Sequence, residues 1–161
     1  MPAADRQNSG HPAALARGRG EQLEPCAIGG GAWVVLAWPG EALSTAAVYA
    51  RYRPLDGAGA RVAEFAAAPF ATAGAEQLAA LVENDLAAPA EQLCPAATAL
   101  RLNLLAGGAL TACVSGSGSA VFGLFATRSA AEAGRAGVAG AAAWTAVAPL
   151  PGGGPAATIT V

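Results

Sequence analysis

Two apolar runs, Leu110 to Val114 and Ala120 to Phe125, are separated by Ser115-Gly116-Ser117-Gly118-Ser119. No other stretch constrains the fold as strongly. Runs of this kind bounded by glycine read as strands, so the serine and glycine residues lie in a loop held between two of them. Glycines there let backbone N–H groups converge, and the serine hydroxyls add further donors, which makes an anion nest for phosphate oxygens. The same five residues also read as a flexible hairpin turn. A glycine loop does not by itself name a reaction.

Local signals mark most of the other elements. Ala13 to Ala16 and Leu23 to Pro25 read as short strands around Arg17-Gly18-Arg19-Gly20, and Ala32 to Trp38 (AWVVLAW) as a strand ended by Pro39-Gly40. A helix opens at Ser44 or Thr45, either of which can cap it, and carries Val48, Tyr49 and Tyr52 before Pro54. Residues 55–74 give only a weak helix or loop. From Glu76 the spacing of Leu78, Leu81 and Val82 is helical and runs into Asn84-Asp85-Leu86, with Pro89 and Pro95 punctuating two short helical pieces. Pro95 suits the first turn of a further helix, whose Ala97, Leu100 and Leu104 share one face and which Gly107-Gly108 end. A helix is expected from about Ser129 to Gly140, weakened by Gly134 and Gly137, then strands at Ala143 to Ala148 and Ala156 to Val161. Hairpin strands mixed with helices point to an α+β fold with an antiparallel sheet.

Composition excludes several function classes. The 161 residues carry a net charge of −2 and no lysine, so no basic stripe exists to neutralise a run of phosphates, and nucleic acid is not an expected partner. Cys26, Cys94 and Cys113 are odd in number and far apart, which argues against a disulfide framework or a zinc site and for reduced core cysteines. His11 is the only histidine, so a histidine metal cluster cannot form. The first residues lack the apolar stretch of a signal peptide, and no window approaches the roughly 20 apolar residues of a membrane span. A soluble cytoplasmic protein is the expectation.

Four stretches, taken in order, resemble one family. The segment VSGSGSAVFGLF is similar to the third signature motif of the galactokinase, homoserine kinase, mevalonate kinase and phosphomevalonate kinase (GHMP) superfamily. GHPAALARGRGEQLEP at 10–25, WVVLAWPGEALSTAAVY at 33–49 and NDLAAPAEQLCP at 84–95 agree in order and spacing, and the last two point to the diphosphocytidyl-methylerythritol kinase branch. The resemblance implies a GHMP kinase C-terminal domain, α+β, with an antiparallel sheet packed with helices in a ferredoxin-like sandwich. It divides the chain into a loose leader (1–9), a hairpin and strand left from an N-terminal lobe and linker (10–40), and the C-terminal domain (41–161).

The resemblance also assigns residues. Tyr49 matches an aromatic position that stacks on the substrate's cytosine ring, and Thr45, on the same helix, lines the substrate pocket. Gly116, Ser117 and Gly118 would sit beside the phosphates and the methylerythritol moiety, positioning rather than transferring protons. The substrate is then a cytidine diphosphate derivative phosphorylated on its 2-hydroxyl, with ATP and Mg²⁺ as cofactors of the intact family enzyme. Read locally, Tyr49 is a half-buried helix residue, Thr45 an N-cap, Asn84 and Asp85 caps of a proline-bounded helix, and Glu21 and Glu24 solvated hairpin charges. The family's catalytic Asp, nearby Lys and P-x-x-x-G-L-G-G-G-S-S loop have no match here, and Asp5 does not fit the G-x-D-V-P-F pattern. No catalytic residue is therefore assigned, neither ATP nor Mg²⁺ is placed on particular residues, and the chain is expected to be inactive alone. A non-catalytic binding or oligomerisation module, or another GHMP small-molecule kinase, are the competing readings, and the oligomeric state is open.

Overall fold

The computed structural model describes residues 13–17, 21–53 and 70–150. Its elements are β1 (Ala14–Arg17), β2 (Gln22–Pro25), β3 (Trp33–Trp38), α1 (Thr45–Arg51), α2 (Ala75–Ala80), α3 (Ala87–Leu93), α4 (Pro95–Ala106), β4 (Thr111–Val114), β5 (Val121–Phe125), α5 (Arg128–Val138) and β6 (Trp144–Pro149). The strand expected at Ala156 to Val161, and most of the weakly patterned 55–74 stretch, lie outside the described residues.

β1 and β2 form a separate antiparallel hairpin, and the other four strands make one sheet in the order β4-β5-β3-β6. Every neighbour in that sheet is antiparallel, with Val35 opposite Gly123, Leu36 opposite Ala146 and Val114 opposite Val121. Counted from β3, the chain runs strand, helices, strand, strand, helix, strand, which is the split βαβ arrangement of a ferredoxin-like fold. β3 is hydrogen-bonded on both edges, so the segment 10–40 contributes a central strand whose two neighbours lie within 41–161.

Alternation along the strands supplies two apolar faces. On one, Val35, Ala37, Val121 and Phe125 meet Leu100 and Leu104 of α4 and Ala131 and Val138 of α5 in the main core. On the other, Val34 and Leu124 pack with Ala73 and with Leu78 and Ala79 of α2. Complete burial of a leucine or phenylalanine side chain contributes roughly 1.5–3 kcal/mol, and Leu100, Leu104 and Phe125 are all essentially inaccessible.

The punctuation works as local chemistry dictates. Pro95 occupies the first turn of α4, where its missing N–H has no partner to lose, and Gly108, at φ +91°, turns the chain away behind it. Pro89 lies inside α3 rather than at its edge; it sits in the first turn, where a helix tolerates proline. Thr127 caps α5, its hydroxyl accepting from the Ala130 N–H at 3.2 Å. Gly134, a weak point by propensity, is buried against Phe125, and a Cβ there would lie 2.7 Å from the ring's Cε1. Cys94 and Cys113 are buried free thiols, whereas Cys26, following the exposed β2 strand, is only half-buried.

Candidate functional site

The loop joining β4 to β5 is closed by two backbone bonds: the Ser115 N–H donates to Ala120 O at 2.8 Å and the Gly118 N–H to Ser115 O at 3.0 Å. Gly116 and Gly118 hold φ of +58° and +80°, which side-chain-bearing residues rarely adopt. Among the described residues, no hydrogen bond uses the N–H of Gly116 or Ser117. A positive φ at Gly116 between two serines lets successive N–H groups face one concavity, which is the geometry that binds anions.

Three sets of side-chain hydrogen bonds tie this loop to the rest of the fold. Thr45 and Ser117, 72 positions apart, share a hydroxyl–hydroxyl hydrogen bond of 2.9 Å. Ser44 makes that bond available: its own hydroxyl takes the cap of α1 by accepting from the Ala47 N–H at 3.3 Å, leaving the Thr45 hydroxyl free for Ser117. The Ser119 hydroxyl, the buried polar group of the loop, donates to the carbonyl of Glu41 and so ties the loop to the segment that leads into α1. Asn84 supplies the third anchor, its Nδ2 donating to Val114 O at 2.9 Å and to Gly116 O at 2.8 Å while its Oδ1 accepts from the Leu86 N–H at 3.0 Å.

Of the residues singled out from sequence, Thr45, Ser117 and the flanking Gly116 and Gly118 thus come together. Tyr49 is four residues beyond Thr45 on α1, on the same side of the helix, and is 58% exposed. That exposure departs from the half-buried tyrosine of the local reading: α1 rests on the core through Val48 and turns Tyr49 outward. Gly118 is in close contact on its inner side, where an added Cβ would meet Val114, Ala90 and Leu43 at 3.1–3.2 Å, so the loop cannot carry a larger residue there without displacing the core.

Sequence reasoning missed two of these anchors. Asn84 does cap locally, as expected, but its amide donors go to the loop 30 and 32 residues further on. Nothing in the run N-D-L signals that half of its bonding. Ser119 carried no distinct signal either. Asn84 also lines a cleft of about 460 Å³ with Arg51, Arg53, Asp85, Gln92 and Cys113. Burial pushes the Cys113 thiol above its ordinary range. A side-chain hydrogen bond from Arg101 to Glu91 raises the guanidinium pKa and joins α4 to α3.

Known proteins resemble this chain in sequence and in fold. Residues 67–142 match the family described as GHMP kinases C terminal. A 4-diphosphocytidyl-2-C-methyl-D-erythritol kinase from Pelobacter propionicus is 39% identical over 131 residues, covering 81% of this chain and 45% of that protein. The enzyme of the same name from Gloeobacter violaceus is 42% identical over 125 residues, 74% of this chain and 41% of its own length. The chain therefore spans under half the length of these two relatives. Among solved structures, a 4-(cytidine 5'-diphospho)-2C-methyl-D-erythritol kinase superposes with a TM-score of 0.63 at 28% identity, over 88% of this chain and 50% of that one. An L. major mevalonate kinase in complex with R-mevalonate superposes with a TM-score of 0.65 at 18% identity, over 89% of this chain and 49% of that one, a likeness of fold alone.

Proposed function

We propose that the chain, whose residues 67–142 match the GHMP kinases C terminal family, supplies the substrate-binding part of an ATP-dependent kinase that phosphorylates the 2-hydroxyl of 4-diphosphocytidyl-2-C-methyl-D-erythritol. The observation that carries this reading is the Thr45–Ser117 hydrogen bond, which ties to the glycine loop the side of α1 on which the exposed Tyr49 also lies, four residues beyond Thr45. A molecule with a base at one end and phosphates near its middle needs such a pair, an aromatic face and a cradle of N–H donors. The curated relatives at 39% and 42% identity carry that substrate in their names.

In this reading Tyr49 stacks on the cytosine, an interaction worth about 1–3 kcal/mol for a base on an aromatic ring. The N–H groups of Gly116 and Ser117 and the Ser117 hydroxyl donate to the phosphate oxygens, charge-assisted bonds stronger than neutral ones. Thr45 holds the Ser117 hydroxyl in place. Phosphoryl transfer rests on positioning and on electrostatic stabilisation of the γ-phosphoryl group, and these residues contribute the first. Kinases of this family use ATP, whose Mg²⁺ is held by one or two carboxylates together with the phosphates. Among the described residues no group of three or more His, Cys, Asp or Glu side chains is placed to hold a metal ion. Among them, too, no helix is long and apolar enough to cross a membrane. A cytoplasmic enzyme of isoprenoid biosynthesis follows from the proposed substrate.

Calorimetric titration of the chain with cytidine diphosphate and with the methylerythritol substrate, beside Tyr49→Ala, tests the reading. Saturable binding is expected, weakened on the order of tenfold or more by the substitution. Absence of binding by the unaltered chain, or equal binding by both proteins, refutes it.

A further inference from the structure

Asn84 stands outside the residues that the proposed substrate would touch, yet its carboxamide is fully engaged. The two amide hydrogens face two carbonyls, Val114 O and Gly116 O, and the amide oxygen faces the Leu86 N–H. A flipped amide would set its oxygen against both carbonyls and its NH₂ against an N–H, so the network admits one orientation only. Val114 is the last residue of β4 and Gly116 the first positive-φ residue of the loop, so this one side chain spans the point where the chain leaves the sheet.

The consequence lies on the far side of the next peptide bond. The Gly116–Ser117 peptide is planar and trans, so its C=O and N–H point in opposite directions. Holding the Gly116 carbonyl toward Asn84 therefore turns the Ser117 N–H away from Asn84, and the Ser117 hydroxyl is held at the same time by Thr45. We propose that Asn84 is a positioning residue that aims the Ser117 N–H at an anionic oxygen of the bound substrate, a diphosphate ester. This rests on the reading of the loop as a phosphate cradle.

Replacing Asn84 separates that role from a structural one. Asn84→Ala removes both donors and releases the Gly116 carbonyl. Asn84→Asp keeps the shape and an acceptor for Leu86 but sets a carboxylate against two carbonyl oxygens, an arrangement that favours the protonated form and raises the carboxyl pKa. Once protonated, that carboxyl donates one hydrogen bond back to the loop. Arg51, Arg53, Glu83 and Asp85 share the cleft and are present in both variants, so what differs between the two is the carboxyl introduced at position 84.

The experiment is a cytidine diphosphate titration of the full chain and both variants, followed by ¹H–¹⁵N spectra and repeated as the pH is lowered from neutral. Amides remote from the loop report that each variant is folded. The wild-type Ser117 amide should shift on binding, Asn84→Ala should bind on the order of tenfold more weakly, and Asn84→Asp should bind at least as poorly at neutral pH. As the pH falls, Asn84→Asp should regain affinity relative to Asn84→Ala. Wild-type binding undiminished in both variants, or no recovery of Asn84→Asp over Asn84→Ala, overturns the role of Asn84 alone. A wild-type chain that binds no cytidine diphosphate removes the functional reading beneath it, and the directing role with it.

Discussion

Gly134 and Gly137 lie three residues apart on α5, and helix propensity assigns both the same defect, about 0.8–1 kcal/mol relative to alanine. Their surroundings reverse the sign at one of them. A Cβ on Gly137 meets nothing within 4 Å, so Gly137→Ala should stabilise the chain by up to about 1 kcal/mol, raising Tm by about 2–4 °C. A Cβ on Gly134 would lie 2.7 Å from Phe125 Cε1 and closer still to Cζ, and Phe125 is fully buried between the sheet and the helices. Overpacking of this kind costs about 1–3 kcal/mol, so Gly134→Ala should fall between near-neutral and about 2 kcal/mol less stable. The difference between the two variants isolates the steric part, because the propensity gain is common to both. Thermal and urea unfolding followed by circular dichroism measures it, and Phe125→Leu in the Gly134→Ala background should cost less than Phe125→Leu alone, since the smaller side chain relieves the overlap. Equal stabilisation by the two glycine substitutions would refute the close approach of α5 to β5 at Phe125.

The ion pair between helices and the buried thiol give two further tests. Arg101 meets Glu91 at 2.5 and 3.3 Å with 25% and 17% of the side chains exposed, so Arg101→Ala, which strands a mostly buried carboxylate, should cost about 1–3 kcal/mol in urea unfolding. Because the pair is partly shielded, that cost should largely survive added salt; its disappearance there would show the pair to be solvent-screened. Burial raises the Cys113 pKa, so the folded state favours the protonated thiol, and the stability this contributes is present below the ordinary thiol pKa and lost above it. Any Tm advantage of wild type over Cys113→Ala should therefore shrink as pH rises above about 8.5, and a pH-independent difference contradicts it.

Features read correctly from sequence are those whose cause is local. Pro95 at a helix start, Gly107-Gly108 at its end and the β-branched and aromatic run Ala32 to Trp38, ended by Pro39-Gly40, all act within a few residues, and α4 and β3 fall where those signals put them. The choice between Ser44 and Thr45 as the cap of α1 was undecidable from their types alone, because both offer a hydroxyl; the structure gives the cap to Ser44 and Thr45 to the loop. Gly134 was legible only as a weakness, since the residue that requires it, Phe125, belongs to another element. Asn84 was half legible for the same reason: the Leu86 N–H is its neighbour, but the two carbonyls reach it through the tertiary fold. The pairing of Thr45 with Ser117, 72 residues away, has no local signal at all, and only the family resemblance placed the two near one substrate.

These anchors also explain why loss of one should weaken the site rather than abolish it. Glycine loses more conformational freedom on ordering than other residues, and fixing each backbone unit costs about 1–2 kcal/mol, so a loop with two positive-φ glycines does not hold one shape unaided. Against that stand the Thr45–Ser117 bond, the Ser119–Glu41 bond and the two bonds from Asn84, each worth roughly 0.5–1.5 kcal/mol net. Removing one leaves the others in place, and the loop then visits its anion-binding form for a fraction of the time. Apparent affinity falls in proportion to that fraction. Anchors contributed by α1, by the segment before it and by the turn ahead of α3 therefore make the loop a sum of moderate constraints. Substitution of two of them together, Thr45→Val with Asn84→Ala, should weaken cytidine diphosphate binding by about the product of the single effects if the ties act independently, and by less if the loop is already released by the first.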